Sequence, residues 1–409
     1  VLAELRDSKS ELEHLLPKED SAKVEQVFSY LAWSAVCEPG DGFAGLLVSA
    51  LGAAEALSTE IDDESSKLVR EKLQASGLST EAIDCFGIFE KAHYLARQRW
   101  KPRFSLTRVT AGIHRLENLK GFALTPQSSI WPRGFEDLGF HRPMAIWVRG
   151  NPESISKLNN SVAVVGSRGS TSYGEYATSS VVTSLVEKNL SIISGGAYGI
   201  DAVAHRTTLA LRGNTVAVMA GGVDRLYPPG HADLLKRITE TGAVFSELPP
   251  GSSPSKWRFL QRNRLIAAAS QSSVVVEANW RSGALNTASH ATALGREVFA
   301  IPGPISSPRS AGTNKLIADS RAQLILDGKD LLDRLGIESQ VISKKQLEGL
   351  GAIETRVLDA IGFDSLEIAE ICLESGLTRD EARFGLGNLE SNGLIARRGN
   401  AWSKSQTTV

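Results

Sequence analysis

Val162-Ala163-Val164-Val165-Gly166-Ser167-Arg168-Gly169-Ser170-Thr171-Ser172-Tyr173-Gly174 is the stretch whose reading decides the fold. A short apolar run stops at a glycine, crosses small polar residues and enters a stretch with helical spacing, which predicts strand, turn and helix. Glycine lets backbone approach an anion, and a helix start offers unpaired N–H groups. The spacing is G-x-x-G-x-x-x-x-G, not the G-x-G-x-x-G of dinucleotide sites. It also puts Arg168 where a pyrophosphate would need bare backbone. A guanidinium there suits a phosphodiester; a surface salt bridge is the plainer alternative.

The same alternation continues outward. Strands are predicted at Ala145–Val148, 162–165, Ser191–Ile193, Thr215–Met219, Ala243–Phe245, Ser273–Val276, Glu297–Ala300 and Gln323–Leu326. Helices are predicted at Gly174–Lys188, Asp201–Arg212, Ala232–Thr241, Phe259–Ser270, Gly283–Leu294 and Thr313–Ala318. Apolar strands alternating with helices predict a mostly parallel sheet covered on both faces, with ligands outside the strands' carboxyl ends. Three further turns there are rich in small residues: Ser194-Gly195-Gly196, Gly221-Gly222 and Ser282-Gly283. Asp201 reads as a helix N-cap in preference to a catalytic group. An aromatic recurs near each turn, namely Tyr173, Tyr198, Tyr227, Trp257 or Phe259, and Trp280. Such rings are commonly core, but this recurrence at one edge favours base stacking.

Charge is uneven although the formal net charge is -1. Between Ser255 and Lys315 stand Lys256, Arg258, Arg262, Arg264, Arg281, Arg296, Arg309 and Lys315 against only Glu277 and Glu297. The cations alternate with aromatics rather than with carboxylates, which predicts a phosphate-gathering surface; a solvated helix face is the bland alternative. Residues 1–90 and 351–390 are acidic, and 91–120 are basic.

No P-loop, no G-x-S-x-G elbow and no Cys/His cluster is present, so ATP hydrolysis, serine hydrolysis and a structural zinc are disfavoured. The carboxylates Asp201, Asp224, Glu247 and Glu277 lie near strand ends, and no spacing pairs them as acid and base. His205, His231 and His290 sit alone on helical stretches. No apolar run is long enough to span a bilayer, and the three cysteines are far apart, which together predict a soluble protein of a reducing cytoplasm. The chain starts at Val1 without Met, which reads as a trimmed or incomplete start.

The expected organisation is a helical domain over 1–118, an extended Rossmann-like domain over 119–335, a linker over 336–350 and a winged-helix domain over 351–409. In the first, Gly42–Leu47 and Leu51–Leu57 read as two short helices joined by glycine turns, a helix-hairpin-helix in acidic surroundings that favour a structural role. In the last, Ser365 and Thr378 read as N-caps, with Thr378 and Glu381 forming a capping box, and 394–402 reads as a hairpin. Acidic neighbours of Arg379 and Arg383 favour protein interaction over DNA reading.

Taken together, the Gly166–Gly174 turn, Ser194–Asp201, Phe259-x-x-Arg-Asn-Arg-x-Ile-Ala267, Ser282–Ala288 and Gly312-Thr313-Asn314 resemble the DNA-processing protein A family (DprA, also called Smf). The resemblance covers Gly121 to about Leu332. It implies a non-catalytic protein without cofactor or metal that binds single-stranded DNA, dimerises and loads the RecA recombinase in natural transformation, away from any membrane. Carried onto this chain, it implies DNA contacts from Gly166, Ser167, Arg168, Ser194, Gly195, Lys256, Phe259, Arg262, Asn263, Arg264, Ser282 and Gly283. The runner-up is a nucleotide phosphoribohydrolase of related layout. Its Pro-Gly-Gly-x-Gly-Thr-x-x-Glu has only Ser282–Thr287 as counterpart here, with no carboxylate before Glu297.

Overall fold

A computed structural model describes residues 24–337, 350–361, 365–392 and 394–404. The stretch before residue 24 and most of the expected linker lie outside these. The chain forms two compact units, Val1–Leu331 and Leu332–Val409.

Among the described residues of the first unit, nine strands form one sheet in the order β1-β2-β6-β5-β4-β3-β7-β8-β9. They are β1 Phe122–Leu124, β2 Ile146–Gly150, β3 Ser161–Val165, β4 Ser191–Ser194, β5 Thr215–Val218, β6 Ala243–Ser246, β7 Ser272–Val275, β8 Glu297–Ala300 and β9 Gln323–Leu324. From β6 to β9 all pairings are parallel, while β2 runs antiparallel to both of its neighbours, β1 and β6. The α/β class with a mostly parallel sheet is thus the one the apolar runs predict. The inner strands are buried along their whole length, which is why they read as continuous apolar runs and not as alternating ones. Strand order reverses between β3 and β7, so the crevice of this sheet opens between their carboxyl ends.

The helices over 24–118 pack on the β2, β5 and β6 side, and their apolar residues merge with Trp147, Ala217, Leu235 and Val244 into one core. One indole ties the layers, Trp147 Nε1 donating to Ser34 Oγ at 3.1 Å, and a second braces the helical layer itself, Trp33 Nε1 donating to Ala53 O at 3.1 Å. The paired short helices are Gly42–Leu51 and Ala53–Ile61, joined at Gly52 with φ of 80°. No single described helix is long and apolar enough to cross a membrane.

Half of the cations in the basic stretch 91–120 are neutralised within this layer. Arg97 meets Glu60 and Asp63, Arg99 meets Asp41, Lys101 meets Asp63, and Arg103 meets Glu38.

The second unit carries helices Ala352–Ile361, Ile368–Ser375 and Arg379–Ser391, with β10 Leu366–Glu367, β11 Ile395–Arg398 and β12 Ala401–Lys404 in the order β10-β12-β11. Val357, Ile371, Ala382, Leu386 and Leu389 centre its core. Thr378 and Glu381 form the expected capping box. Ser365 does not cap its helix: the chain pairs as β10 first, so the helix starts later, behind Glu367, whose N–H donates to Glu370 at 2.8 Å.

One buried group makes the first unit acid-sensitive. Thr215 Oγ1 donates to Ile192 O at 3.0 Å and so accepts from His205 Nδ1 at 2.7 Å, which leaves Nε2 as a bare acceptor without partner. Burial pushes the imidazole down from 6.5 to about 3, assisted by the charges of His231 and Arg262. Between those values the unfolded chain holds a proton that the folded one refuses. Stability is therefore lost as pH falls below 6.5, at about 1.4 kcal/mol per unit. His205→Gln is expected to narrow the drop in urea midpoint between pH 7.5 and 5.5; an unchanged drop would contradict this assignment.

Candidate nucleic-acid interface

The first turn is closed by a carboxylate from another strand. Thr171 caps the Ser172–Glu187 helix, its Oγ1 accepting from Gly174 N at 3.1 Å. Glu277, two residues beyond β7 and 2% exposed, accepts from Thr171 N at 3.0 Å and from the Thr171 hydroxyl. A Cβ at position 174 would overlap that carboxylate, so glycine admits it. The helix N-terminus at the switch point, where a Rossmann sheet normally holds a phosphate, is filled by the protein's own anion.

The second turn is closed in the same way. Asp201 is not the N-cap, a place Gly199 takes; it lies inside the first helical turn, and its carboxylate reaches back to Gly195 N at 3.1 Å and Ala197 N at 3.3 Å. Burial raises its pKa, with Arg262 and these amides opposing. Ser194 is buried and donates to Val164 O at 2.7 Å. Neither the Ser194 hydroxyl nor the Gly195 amide is open to a ligand.

What these turns leave exposed is side chains. Arg168 is exposed, and its guanidinium lies 5.1 Å from the centre of the Phe259 ring. Below it, Ser167 accepts from Arg309 Nη1 at 2.8 Å, and Arg309 also donates to Gly169 O, so a cation from beyond β8 clamps this turn. Gly166 makes room for Ile200, since a Cβ there would come within 2.6 Å of its side chain.

The basic segment forms the Lys256–Ala268 helix, which starts three residues earlier than its periodicity predicts because Ser255 caps it, accepting from Arg258 N at 3.3 Å. Lys256 therefore stands in the first turn, exposed, three positions before Phe259 and on the same face. Tyr227 lies 5.8 Å from Phe259, ring to ring. Tyr173, Tyr198, Tyr227, Trp257 and Trp280 are all at least two-fifths exposed.

The rest of this helix points inward, against the expectation of a phosphate-holding Arg262-Asn263-Arg264 group. Arg262 is 6% exposed and donates to Gly195 O at 2.7 Å, to Val218 O, and from Nε to Asn263 Oδ1 at 3.1 Å. Burial pushes its pKa down to about 10, with Asp201 opposing and the charge of Arg168 assisting. Gly195 lacks a side chain where Arg262 needs the space. Asn263 donates to Gly283 O at 3.3 Å and Asn286 Oδ1 at 3.2 Å, bracing the next helix. Arg264 is 4% exposed and pairs with Glu247, which also accepts from Gly40 N at 3.2 Å.

The run also pairs with carboxylates after all. Arg258 holds Glu38 at 2.8 Å, Arg296 holds Asp137 at 2.9 Å and Lys315 holds Asp319 at 2.6 Å. Within this run and the first turn, Arg168, Lys256 and Arg281 keep side-chain charges with no hydrogen bond or ion pair. The fourth turn stays open: Ser282 caps the Gly283–Ala293 helix, and Gly283 is exposed with only Asn263 Nδ2 near, 4.0 Å from where a Cβ would sit. Sequence reasoning passed over Arg309 and Glu277 as site builders. Glu277 had a signal, being a lone carboxylate at the end of a buried apolar strand, which must find donors. No group of His, Cys, Asp and Glu among the described residues has the arrangement of a metal site.

A doubly wound sheet whose first two turns are filled from within, and whose rim carries exposed cations and rings, defines a Rossmann-like protein. The chain belongs to the DNA recombination-mediator protein A family, whose profile matches residues 122–336. A putative DNA processing protein DprA of Mycobacterium tuberculosis is 37% identical over 344 residues, covering 78% of this chain and 88% of that protein. The DNA processing protein DprA of Streptococcus pneumoniae is 39% identical over 193 residues, covering 47% of this chain and 67% of that one. The X-ray structure of DNA processing protein A from Streptococcus pneumoniae superposes with a TM-score of 0.56 at 28% identity, over 74% of this chain and 95% of its own.

Proposed function

We propose that this chain binds single-stranded DNA along the carboxyl rim of its sheet and performs no covalent chemistry on it. The observation that carries this reading is the exposed Arg168 guanidinium stacked on Phe259, with Lys256 on the same helix face and Tyr227 beside the ring. Fixed cations meet phosphates and rings meet unstacked bases, a combination that a paired duplex cannot use. The helix start filled by Glu277 and the turn filled by Asp201 support exclusion of a small nucleotide, and with it the phosphoribohydrolase alternative is disfavoured. Arg168 and Lys256 are the phosphate contacts in this reading, Phe259 the base platform, and Gly283 an exposed helix start at the far end of the rim, the Ser282 amide being held by Asn279 O. Gly166, Ser167, Ser194, Gly195, Arg262, Asn263 and Arg264 support that surface from beneath.

The family's description as a recombination mediator supports delivery of the bound strand to the RecA recombinase, by a homodimer in the cytoplasm during DNA uptake. Residues 351–409 then serve as a winged-helix module for protein contact, joined through 336–350 to the strand-binding domain at 119–335, with 1–118 as its helical companion.

Fluorescence anisotropy with matched single-stranded and duplex oligonucleotides tests the reading. Binding at least tenfold tighter to the single strand is expected. Equal or tighter binding of duplex would contradict it, as would release of free base from nucleoside monophosphates.

A further inference from the structure

Two arginines outside the region of resemblance's motifs meet on one loop of the same rim. The loop after β6, residues 247–255, leads into Lys256. The helix Leu106–Asn118 of the helical layer packs on this loop: a Cβ at Gly112 would sit 3.5 Å from Pro249 Cβ. One turn on, the exposed Arg115 guanidinium lies directly on Gly251, where a Cβ would overlap it; Gly251 has φ of 94° and its N–H donates to Asp224 Oδ1 at 2.8 Å. From the β5 turn, the exposed Arg225 donates to Ser253 Oγ at 3.2 Å.

Neither arginine has a carboxylate within ion-pair distance among the described residues, although the neighbouring cations of the helical layer, Arg97, Arg99, Lys101 and Arg103, all do. Asp224, the nearest acid in sequence to Arg225, is committed to the Gly251 amide. An arginine seated on a glycine made to receive it, with its charge left unmatched, is placed for an outside anion. Arg108, exposed and two helical turns before Arg115, lies on the same edge of that helix.

We infer that the single-strand path runs past Lys256 across the β5 and β6 turns onto Arg225 and Arg115, so that the helical layer forms part of the DNA-binding surface. This rests on the strand-binding reading above and extends it. From the β3 turn, which carries Arg168, to the β6 turn the rim crosses three strand spacings, about 14 Å. Arg168 and Lys256 serve a short strand, and only a longer one reaches Arg115.

The test compares wild type, Arg115→Ala/Arg225→Ala and Arg115→Lys/Arg225→Lys on strands of ~3 and ~16 nucleotides, lengths that bracket common single-strand site sizes. The alanine pair is expected to bind the short strand within about twofold of wild type and the long strand about tenfold more weakly, with the lysine pair recovering most of the loss. Equal weakening of both lengths would overturn the path, because it would mean a general structural effect. Unaltered binding of the long strand would overturn it as well. If wild type binds neither strand, the strand-binding reading itself fails, a result distinct from either of these.

Discussion

Arg168→Ala is expected to weaken single-strand binding by about 10- to 100-fold, the equivalent of one charge-assisted contact of about 1.5–3 kcal/mol. Two losses combine at this residue. The guanidinium is exposed and carries no carboxylate partner, so its charge is available to a phosphate. It also covers Phe259 at 5.1 Å, and its removal leaves the ring without the cation that fixes its outer face. Arg168→Lys keeps the charge but not the planar stack and should recover only part of the loss. Anisotropy at one fixed salt concentration measures this. Full affinity in Arg168→Ala would remove the cornerstone of the proposed contact, since no other exposed cation touches Phe259 among the described residues.

Arg264→Ala is expected to act in the opposite manner, large on stability and indirect on DNA. Its guanidinium and the Glu247 carboxylate are 5% and 10% exposed, and Glu247 takes one further hydrogen bond, from Gly40 in the helical layer. Removing one partner of a buried pair costs about 3–5 kcal/mol because the other charge stays behind unmatched. Arg264 Nε and Nη1 have no partner of their own, so the pair is not ideally solvated even when intact. Replacing both together, as Arg264→Met/Glu247→Leu, should therefore restore most of the stability. Urea unfolding of the three variants reads this. A single substitution costing under ~1 kcal/mol would mean that the pair is not the buried link described here. At temperatures where Arg264→Ala stays folded, its DNA affinity should lie close to wild type.

These two arginines show where the sequence is legible. Both lie in signature segments and both are basic, yet one is solvent's and the other the core's. The inner strands could be read because each holds an apolar run, most of them closed by glycine, serine or proline. The three-residue β1 was missed because its run is too short to stand out beside Gly121. The inward turn of Arg262 and Arg264 was hidden for a different reason. In Lys256–Ala268 the cations and apolar residues are spread around the whole helix, so no face declares itself. Their partners are also remote: Glu38 is 220 residues from Arg258, Gly195 is 67 from Arg262, and Glu247 is 17 from Arg264. The glycine-rich turns misled in the same way. Their amides are a phosphate site only while empty, and Glu277 and Asp201 fill them from positions that local spacing does not connect.

In the proposed reading, charge on Arg168 and Lys256, not the amides of the glycine turns, gathers the polyanion. Salt titration of single-strand affinity tests it most directly. Each phosphate neutralised contributes about -0.7 to the log–log slope, so Arg168→Ala/Lys256→Ala should be shallower than wild type by about 1.4. An identical slope in the two proteins would contradict the account, because the phosphates would then be held by other groups.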